Sequence, residues 1–238
     1  MLIFALDSTA VVASVALTLD EKPLASFTLK NGNTHSETLL PMAKAMLDVA
    51  GYTVNDIDLF ACSKGPGSFT GVRIGAATVK GLAFGKEKPV IGVSTLEAMA
   101  YDLLPTKGLI CAVMNARRGQ VYNALFRADG CTLTRLCPDR AIAAADLEGE
   151  LAALDEAFYL VGDGCEVALA AFKALTPLPL PTLVSEQNAF GVALAALQAY
   201  REGVRTTDKE LSPVYLRLPQ AERERLEKSK NAPERSKQ

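Results

Sequence analysis

The sequence predicts an α/β protein of two βββαβα-type halves, each a mixed sheet flanked by helices. Three observations predict it. Residues 2–30 read as three strands joined by polar turns: an apolar run at 2–6, a second strand at 11–19 and a third at 24–30, with turns at Asp7-Ser8-Thr9 and Asp20-Glu21-Lys22-Pro23. From residue 108 the same design returns, with strands at 109–114, 121–126 and 131–136 and turns at Asn115-Ala116-Arg117-Arg118-Gly119 and Ala128-Asp129-Gly130. After each triplet, helical and strand patterns alternate, which closes a sheet under helices. The echo is architectural; sequence identity between the halves is weak. The expected organisation is an N-terminal subdomain at 1–104, a C-terminal subdomain at 105–218 and a charged tail at 219–238 that need not fold.

The elements follow in order. Asn31-Gly32-Asn33-Thr34 is a loop that leads into a helix over 35–49, with Leu39, Met42, Met46 and Val49 along one side. Pro41 falls inside it, so the first turn is expected to be separate or kinked. Gly51-Tyr52 ends the helix, and 57–62 is a short buried strand. The turn Lys64-Gly65-Pro66-Gly67-Ser68-Phe69-Thr70-Gly71 comes next. A helix over 72–84 follows, with Val72, Ala76, Val79 and Ala83 on one face and Gly85 as its cap. Residues 88–93 form a strand, and Ser94-Thr95-Leu96-Glu97 reads as a capping box that opens another helix. In the second half, helices are expected at 143–154, 164–174 and 188–202, a strand at 157–161, and a loop around Pro177, Pro179 and Pro181.

Composition narrows the function classes. The chain has 238 residues, 49% of them hydrophobic, enough for one large or two small cores. Its longest apolar runs, such as 10–17, are too short to span a bilayer, and Met1-Leu2-Ile3-Phe4-Ala5-Leu6-Asp7 has no basic segment ahead of the apolar one. Five scattered cysteines without a C-x-x-C pair fit a reducing compartment, so a cytoplasmic protein with no membrane partner is expected. Net charge is −2; the tail carries six basic and four acidic residues, which leaves −4 on the rest. Such a body has no electrostatic footprint for nucleic acid, so if RNA is handled, another chain supplies most phosphate contacts.

Two readings of the glycine turn stand side by side. Backbone N–H groups at a helix N-terminus are suited to cradle an anion; alternatively, the glycines permit a tight turn and close packing. A P-loop is excluded, because no Lys-Ser or Lys-Thr pair follows the last turn glycine, and Pro66 removes a donor. Gly75, Ala76, Ala77, Gly81 and Ala83 leave the following helix nearly bare. Interior glycine costs about 1 kcal/mol relative to alanine, so a close neighbour, in this chain or another, must compensate. Asp7 ends the first strand as the acid of an actin-like phosphate hairpin does, yet Asp-Ser also favours an ordinary Asx turn. His35 is the only histidine, and its position suits a surface or capping group as well as a ligand.

Together the residues resemble the TsaB (YeaZ) family. The resemblance rests on Leu6-Asp7-Ser8-Thr9, the stretch from Gly65 to Gly75 (GPGSFTGVRIG), Ile91-Gly92-Val93-Ser94-Thr95-Leu96 and Pro213-Val214-Tyr215-Leu216-Arg217. Asn115-Ala116-Arg117-Arg118-Gly119-Gln120-Val121-Tyr122 is a fifth, looser stretch. It implies an actin-like (ASKHA) ATPase fold and a subunit that is inactive alone. A TsaD-like paralogue would carry the active site and a TsaE-like ATPase would join them. The complex would transfer threonylcarbamoyl from its adenylate to the adenosine next to the anticodon in tRNAs reading codons that begin with A. The chain would meet tRNA through the complex and form a homodimer when alone. It would have no cofactor of its own, with ATP and a metal on the partner subunits.

The resemblance places Asp7, Ser8 and Thr9 near any nucleotide. It places pairing on two helices and the turn between them: His35, Leu39 and Met42 on the first helix; Gly65, Pro66, Gly67, Ser68, Phe69, Thr70 and Gly71 in the turn; and Val72, Arg73, Gly75, Ala76, Val79 and Lys80 on the second. An arginine at Ala76 is therefore expected to give a folded monomer that no longer pairs. Where the catalytic paralogue holds metal with two histidines four positions apart, this chain has Thr95 and Met99, and Asn115 replaces the family's usual aspartate. Two rivals are an independent phosphotransferase using Asp7 and a protease; no nucleophile–base–metal set supports the latter. Elemental analysis of the purified chain is expected to find no stoichiometric iron or zinc, and about one transition metal per chain would overturn that.

Overall fold

The computed structural model describes residues 1–180 and 186–217. Its first sheet grows around β1 (Leu2–Asp7), buried along its whole length. This strand pairs antiparallel with β2 (Ala13–Leu19) and parallel with β4 (Leu59–Ser63). With β3 (Lys22–Leu29) and β5 (Val90–Val93) the order is β3-β2-β1-β4-β5. Alternate residues of the apolar runs face opposite layers. Phe4, Leu6, Val15, Leu17 and Phe60 meet α1 (His35–Ala50) and α2 (Phe69–Ala83), while Ile3, Ala5, Ala16 and Leu59 meet α6 (Ala189–Arg201). Burial of each large side chain stabilises by about 1.5–3 kcal/mol, so a continuous apolar strand is stable only with both faces covered.

The second sheet repeats the plan. β6 (Lys107–Asn115) pairs antiparallel with β7 (Gln120–Asp129) and parallel with β10 (Phe158–Val161). β8 (Leu133–Arg135) and β9 (Arg140–Ala143) share the other edge of β7, one beyond the other. Leu109, Cys111, Val113 and Leu125 pack under α4 (Ala144–Leu154) and α5 (Cys165–Ala171). Ile110, Ala112, Met114 and Phe126 pack on α3 (Thr95–Asp102). The wall between the sheets is α3 with α6: Leu96, Met99 and Leu103 face the second sheet and Ala98 faces α6. Thus α6, though late in sequence, returns to the first sheet. Gly191 allows it, since a Cβ there would lie 2.1 Å from the Ala98 carbonyl oxygen. This is the expected actin-like α/β fold.

Several boundaries differ for physical reasons. The β2–β3 turn is shorter than expected: Lys22 and Pro23 already pair with Leu19 and Thr18, and proline is tolerated because β3 is an edge strand. Helix α1 runs unbroken through Pro41, held by burial of Leu39, Ala43, Met46 and Leu47, whereas Val49, expected on that face, is 84% exposed. The capping box at Ser94 is half made. Ser94 Oγ accepts from Glu97 N at 3.3 Å, but the Glu97 carboxylate pairs with Arg135 at 3.1 Å instead of returning to Ser94. β9 was not expected. Pro181 of the expected loop and the 219–238 tail lie outside the described residues.

The small residues of α2 divide into two sets. Ala76, Val79 and Ala83 enter the core under the first sheet and Val72 is buried on the same face, as their spacing predicts. Gly71 and Gly75 meet the β1–β2 turn: a Cβ at Gly71 would lie 2.0 Å from Ser8 O, and one at Gly75 would lie 2.5 Å from Ser8 Oγ. Their neighbour is therefore this chain. Ala77 and Gly81 are exposed, and a Cβ at Gly81 meets nothing within 4 Å. Two substitutions separate these roles. Gly81→Ala should stabilise by about 0.5–1 kcal/mol through helix propensity. Gly71→Ala should destabilise by about 1–3 kcal/mol because the methyl overpacks a fixed backbone. Urea unfolding of both variants checks this, and equal gains would refute the close-approach account.

Candidate functional site

A cleft of about 620 Å³ opens between the halves. One wall is Thr9, Ala10 and residues 67–70; the other is residues 114–117 with Tyr122 and Asp163; residues 214–217 cross its mouth. Asp7 stands behind the first wall, 1% exposed. Its Oδ1 accepts from Thr9 N (2.8 Å) and Thr9 Oγ1 (2.7 Å), and its Oδ2 accepts from Ser63 Oγ (2.5 Å). Burial pushes the Asp7 carboxyl above its ordinary pKa, against the opposing pull of those donors. Ser8 Oγ donates to Gly71 O at 2.9 Å. Of the three residues expected beside a nucleotide, only Thr9 lines the cleft; Asp7 and Ser8 lock the turn to β4 and α2.

The glycine turn is built the same way. The Gly65–Pro66 peptide is cis. Ser68 N donates to Thr9 O (2.7 Å), and Gly71 N donates to Ser68 Oγ (3.2 Å), which caps α2. A Cβ at Gly67 would sit 2.5 Å from Thr9 O. Two of the backbone donors that an anion cradle would offer are thus engaged inside the chain, and the glycines bring turn and hairpin into contact. The geometry supports the packing reading over the cradle.

On the second wall, Asn115 Oδ1 accepts from Arg117 N (2.8 Å), an Asx turn that an amide makes as readily as a carboxylate. Asn115 N and Gln187 Nε2 donate to Asp163 Oδ1 at 3.2 and 3.4 Å, and burial raises the Asp163 pKa. Sequence reasoning missed Asp163. Its signal is Val161-Gly162-Asp163-Gly164, an aspartate between glycines just past a parallel strand, as Asp7 ends one in the first sheet. Thr95 and Met99 are both fully buried, and a Cβ at Gly162 would lie 2.8 Å from the Met99 sulfur. The positions that hold metal in the catalytic paralogue, by the resemblance, are core positions here. Among the described residues, no group of three or more His, Cys, Asp or Glu is placed to hold a metal ion.

The residues expected at a pairing surface fall into two groups. Leu39, Gly65, Pro66, Gly71, Val72, Gly75, Ala76 and Val79 are buried within this chain and offer no surface. Ala76 is 4% exposed in the core of the first half, so an arginine there should disrupt folding rather than give the folded monomer expected from sequence. Ser68, Thr70 and Arg73 are exposed; His35, Met42, Gly67, Phe69 and Lys80 are half-buried. His35 is tied inward, with Nε2 donating to Ala10 O at 2.7 Å. The outer stripe of α2 is Thr70, Arg73, Ala77, Gly81 and Phe84, the last 78% exposed. Beside it, Leu40, Pro41, Leu47, Tyr52, Val54 and Leu82 line an apolar hollow of about 650 Å³.

A family model described as TsaD, tRNA N6-adenosine threonylcarbamoyltransferase, matches residues 30–225. A Buchnera aphidicola protein named tRNA threonylcarbamoyladenosine biosynthesis protein TsaB is 32% identical over 166 residues, 68% of this chain and 79% of its own. The chain belongs to the TsaB (YeaZ) family. The Bacillus subtilis TsaB is 29% identical over 97% of this chain and 100% of its own length; the Escherichia coli TsaB is 42% identical over 54% of this chain and 56% of its own. The solved YeaZ from Pseudomonas aeruginosa superimposes with a TM-score of 0.76 at 25% identity, covering 90% of this chain and 99% of that one. No helix among the described residues is long and apolar enough to cross a membrane.

A structural role for Asp7 in this TsaB-family chain has a testable signature. Asp7→Ala leaves the buried Thr9 N–H and Ser63 hydroxyl without their acceptor and should destabilise by about 1–3 kcal/mol. Asp7→Asn keeps one acceptor oxygen and should fold with a smaller loss. Denaturant midpoints for the two variants check the order, and equal losses would contradict it.

Proposed function

We propose that this chain is a non-catalytic subunit in tRNA threonylcarbamoyladenosine biosynthesis. It pairs with a TsaD-like paralogue, joined by a TsaE-like ATPase, and supports transfer of threonylcarbamoyl from its adenylate to the adenosine next to the anticodon in tRNAs reading codons that begin with A. The paralogue carries the metal and chemistry, ATP belongs to the partner subunits, and tRNA is met through the complex. The observation that carries the reading is the contrast between the two candidate surfaces. The carboxylate of Asp7 is held by its own turn, and the metal positions are filled by buried Thr95 and Met99. The outer faces of α1 and α2, by contrast, present an apolar hollow lined by Leu40 (51% exposed), Pro41, Leu47, Tyr52, Val54 and Leu82, and also expose Val49 and Phe84. Clustered apolar surface of this kind marks a protein partner. Ala77 and Gly81 on the same stripe allow a neighbouring helix to approach closely. The same face serves a homodimer when the paralogue is absent.

The test is reconstitution. Alone, the chain should neither hydrolyse ATP above background nor modify tRNA; with the paralogue, TsaE, acyl donor and ATP, modification should appear. Ala77→Arg should stay folded by circular dichroism yet lose roughly 100-fold in pairing affinity, the effect of about 3 kcal/mol from burying an unpaired charge. A folded Ala77→Arg chain that pairs with native affinity would remove α2 from the interface, and failure of the full mixture to modify tRNA would refute the subunit reading.

A further inference from the structure

The Pro-Val-Tyr-Leu-Arg motif at 213–217 touches both halves. Val214 N donates to Lys64 O at 2.7 Å. The Val214 carbonyl lies over Gly65, whose φ of 111° suits glycine and where a Cβ would come within 2.4 Å of that oxygen. The Tyr215 ring stacks against Phe69 with centroids 4.6 Å apart, and its hydroxyl accepts from Arg73 Nε at 2.8 Å. Just upstream, Leu211 is buried against β5, where a Cβ on Gly92 would lie 2.6 Å from its methyl group. All of these anchors are on the first half. Arg217 then crosses the cleft mouth, and its Nη1 donates to Ala116 O at 2.6 Å in the β6–β7 turn of the second half.

We propose that residues 213–217 are an intramolecular clamp that holds the cleft of the free chain at one opening. The geometry is that of a strap: fixed to the glycine turn by backbone bonding and stacking at one end, and to the opposite wall by a charge-assisted hydrogen bond at the other. The glycine turn and the β6–β7 turn lie on different sheets, and opening the cleft moves them apart, so the strap resists that motion. It also sets the first turn of α2, because Tyr215 holds both Phe69 and Arg73. The glycine at 65 is explained by the same contact, since a side chain there would meet the strap, and one at 92 would meet Leu211 just upstream of it. The clamp concerns the free chain and stands independently of the pairing reading.

Hydrogen–deuterium exchange of the full chain tests it, comparing wild type with Arg217→Met. Reporter amides exist on both walls: Ser68 N–H bonded to Thr9 O, and Ala116 N–H bonded to Gln120 O. Exchange is expected to rise about tenfold, the effect of losing one charge-assisted hydrogen bond, in peptides covering 64–70 and 115–120 together, with β1 and α4 unchanged. Faster exchange at 115–120 alone would show a local contact and overturn the clamp, as would no change in either segment. If Arg217→Met does not yield folded protein, Tyr215→Leu is read the same way, the decisive result being a change at 115–120, which Tyr215 is not seen to bond.

Discussion

The contact on which the rest of the structure depends is the close approach of α2 to the β1–β2 turn at Ser8. It is possible only because residues 71 and 75 lack side chains. From it follow the bond between Ser8 Oγ and Gly71 O, the seat of Ser68 N on Thr9 O, and the enclosure of Asp7 between its own turn and Ser63. It also fixes the rotation of α2. With the glycine edge against the hairpin and Val72, Ala76 and Val79 in the core, Arg73, Ala77, Gly81 and Phe84 must point outward. One local packing decision thus ties Asp7 into its own turn and leaves the Arg73, Ala77 and Gly81 stripe of α2 on the surface.

The two carboxylates at the cleft are engaged internally. Carboxylates stand just beyond parallel strands in both sheets, Asp7 in the first and Asp163 in the second, yet each accepts hydrogen bonds from its own surroundings. Burial raises the pKa of both, with each donor acting in the opposite sense. Buried carboxylates satisfied in this way specify turn geometry, and a bound group would have to displace those partners. The alanine-rich α6 performs a related service at larger scale: Ala189, Ala193 and Ala196 let it lie close to the first sheet, so one thin wall of helices separates the two sheets.

Much of the fold was legible in the sequence, because it rests on periodicities that a continuous apolar strand or an i, i+4, i+7 stripe cannot hide. The core face of α2 and the echo between the two strand triplets are of this kind. The site was less legible. A glycine in a helix shows that something comes close without showing what, and Gly75 was assigned to a partner when its neighbour was Ser8. Val49 fits the apolar stripe of α1 by spacing yet is exposed, because the helix buries Leu39, Ala43, Met46 and Leu47 instead, and α6 gives no sequence sign that it returns to the first half. Asp163 is not legible in the sequence because its place in the cleft depends on where β10 ends in space. The resemblance supplied the family, which periodicity alone does not reach.

Side-chain footprinting by hydroxyl radicals, on the free chain and with the TsaD-like paralogue added, tests the central claim most directly. The account predicts that Met42, Leu40 and Phe84, on the outer faces of α1 and α2, lose reactivity on pairing, while Tyr122 in the cleft keeps its own. Protection confined to Tyr122, with Leu40 and Phe84 as reactive as before, would contradict it.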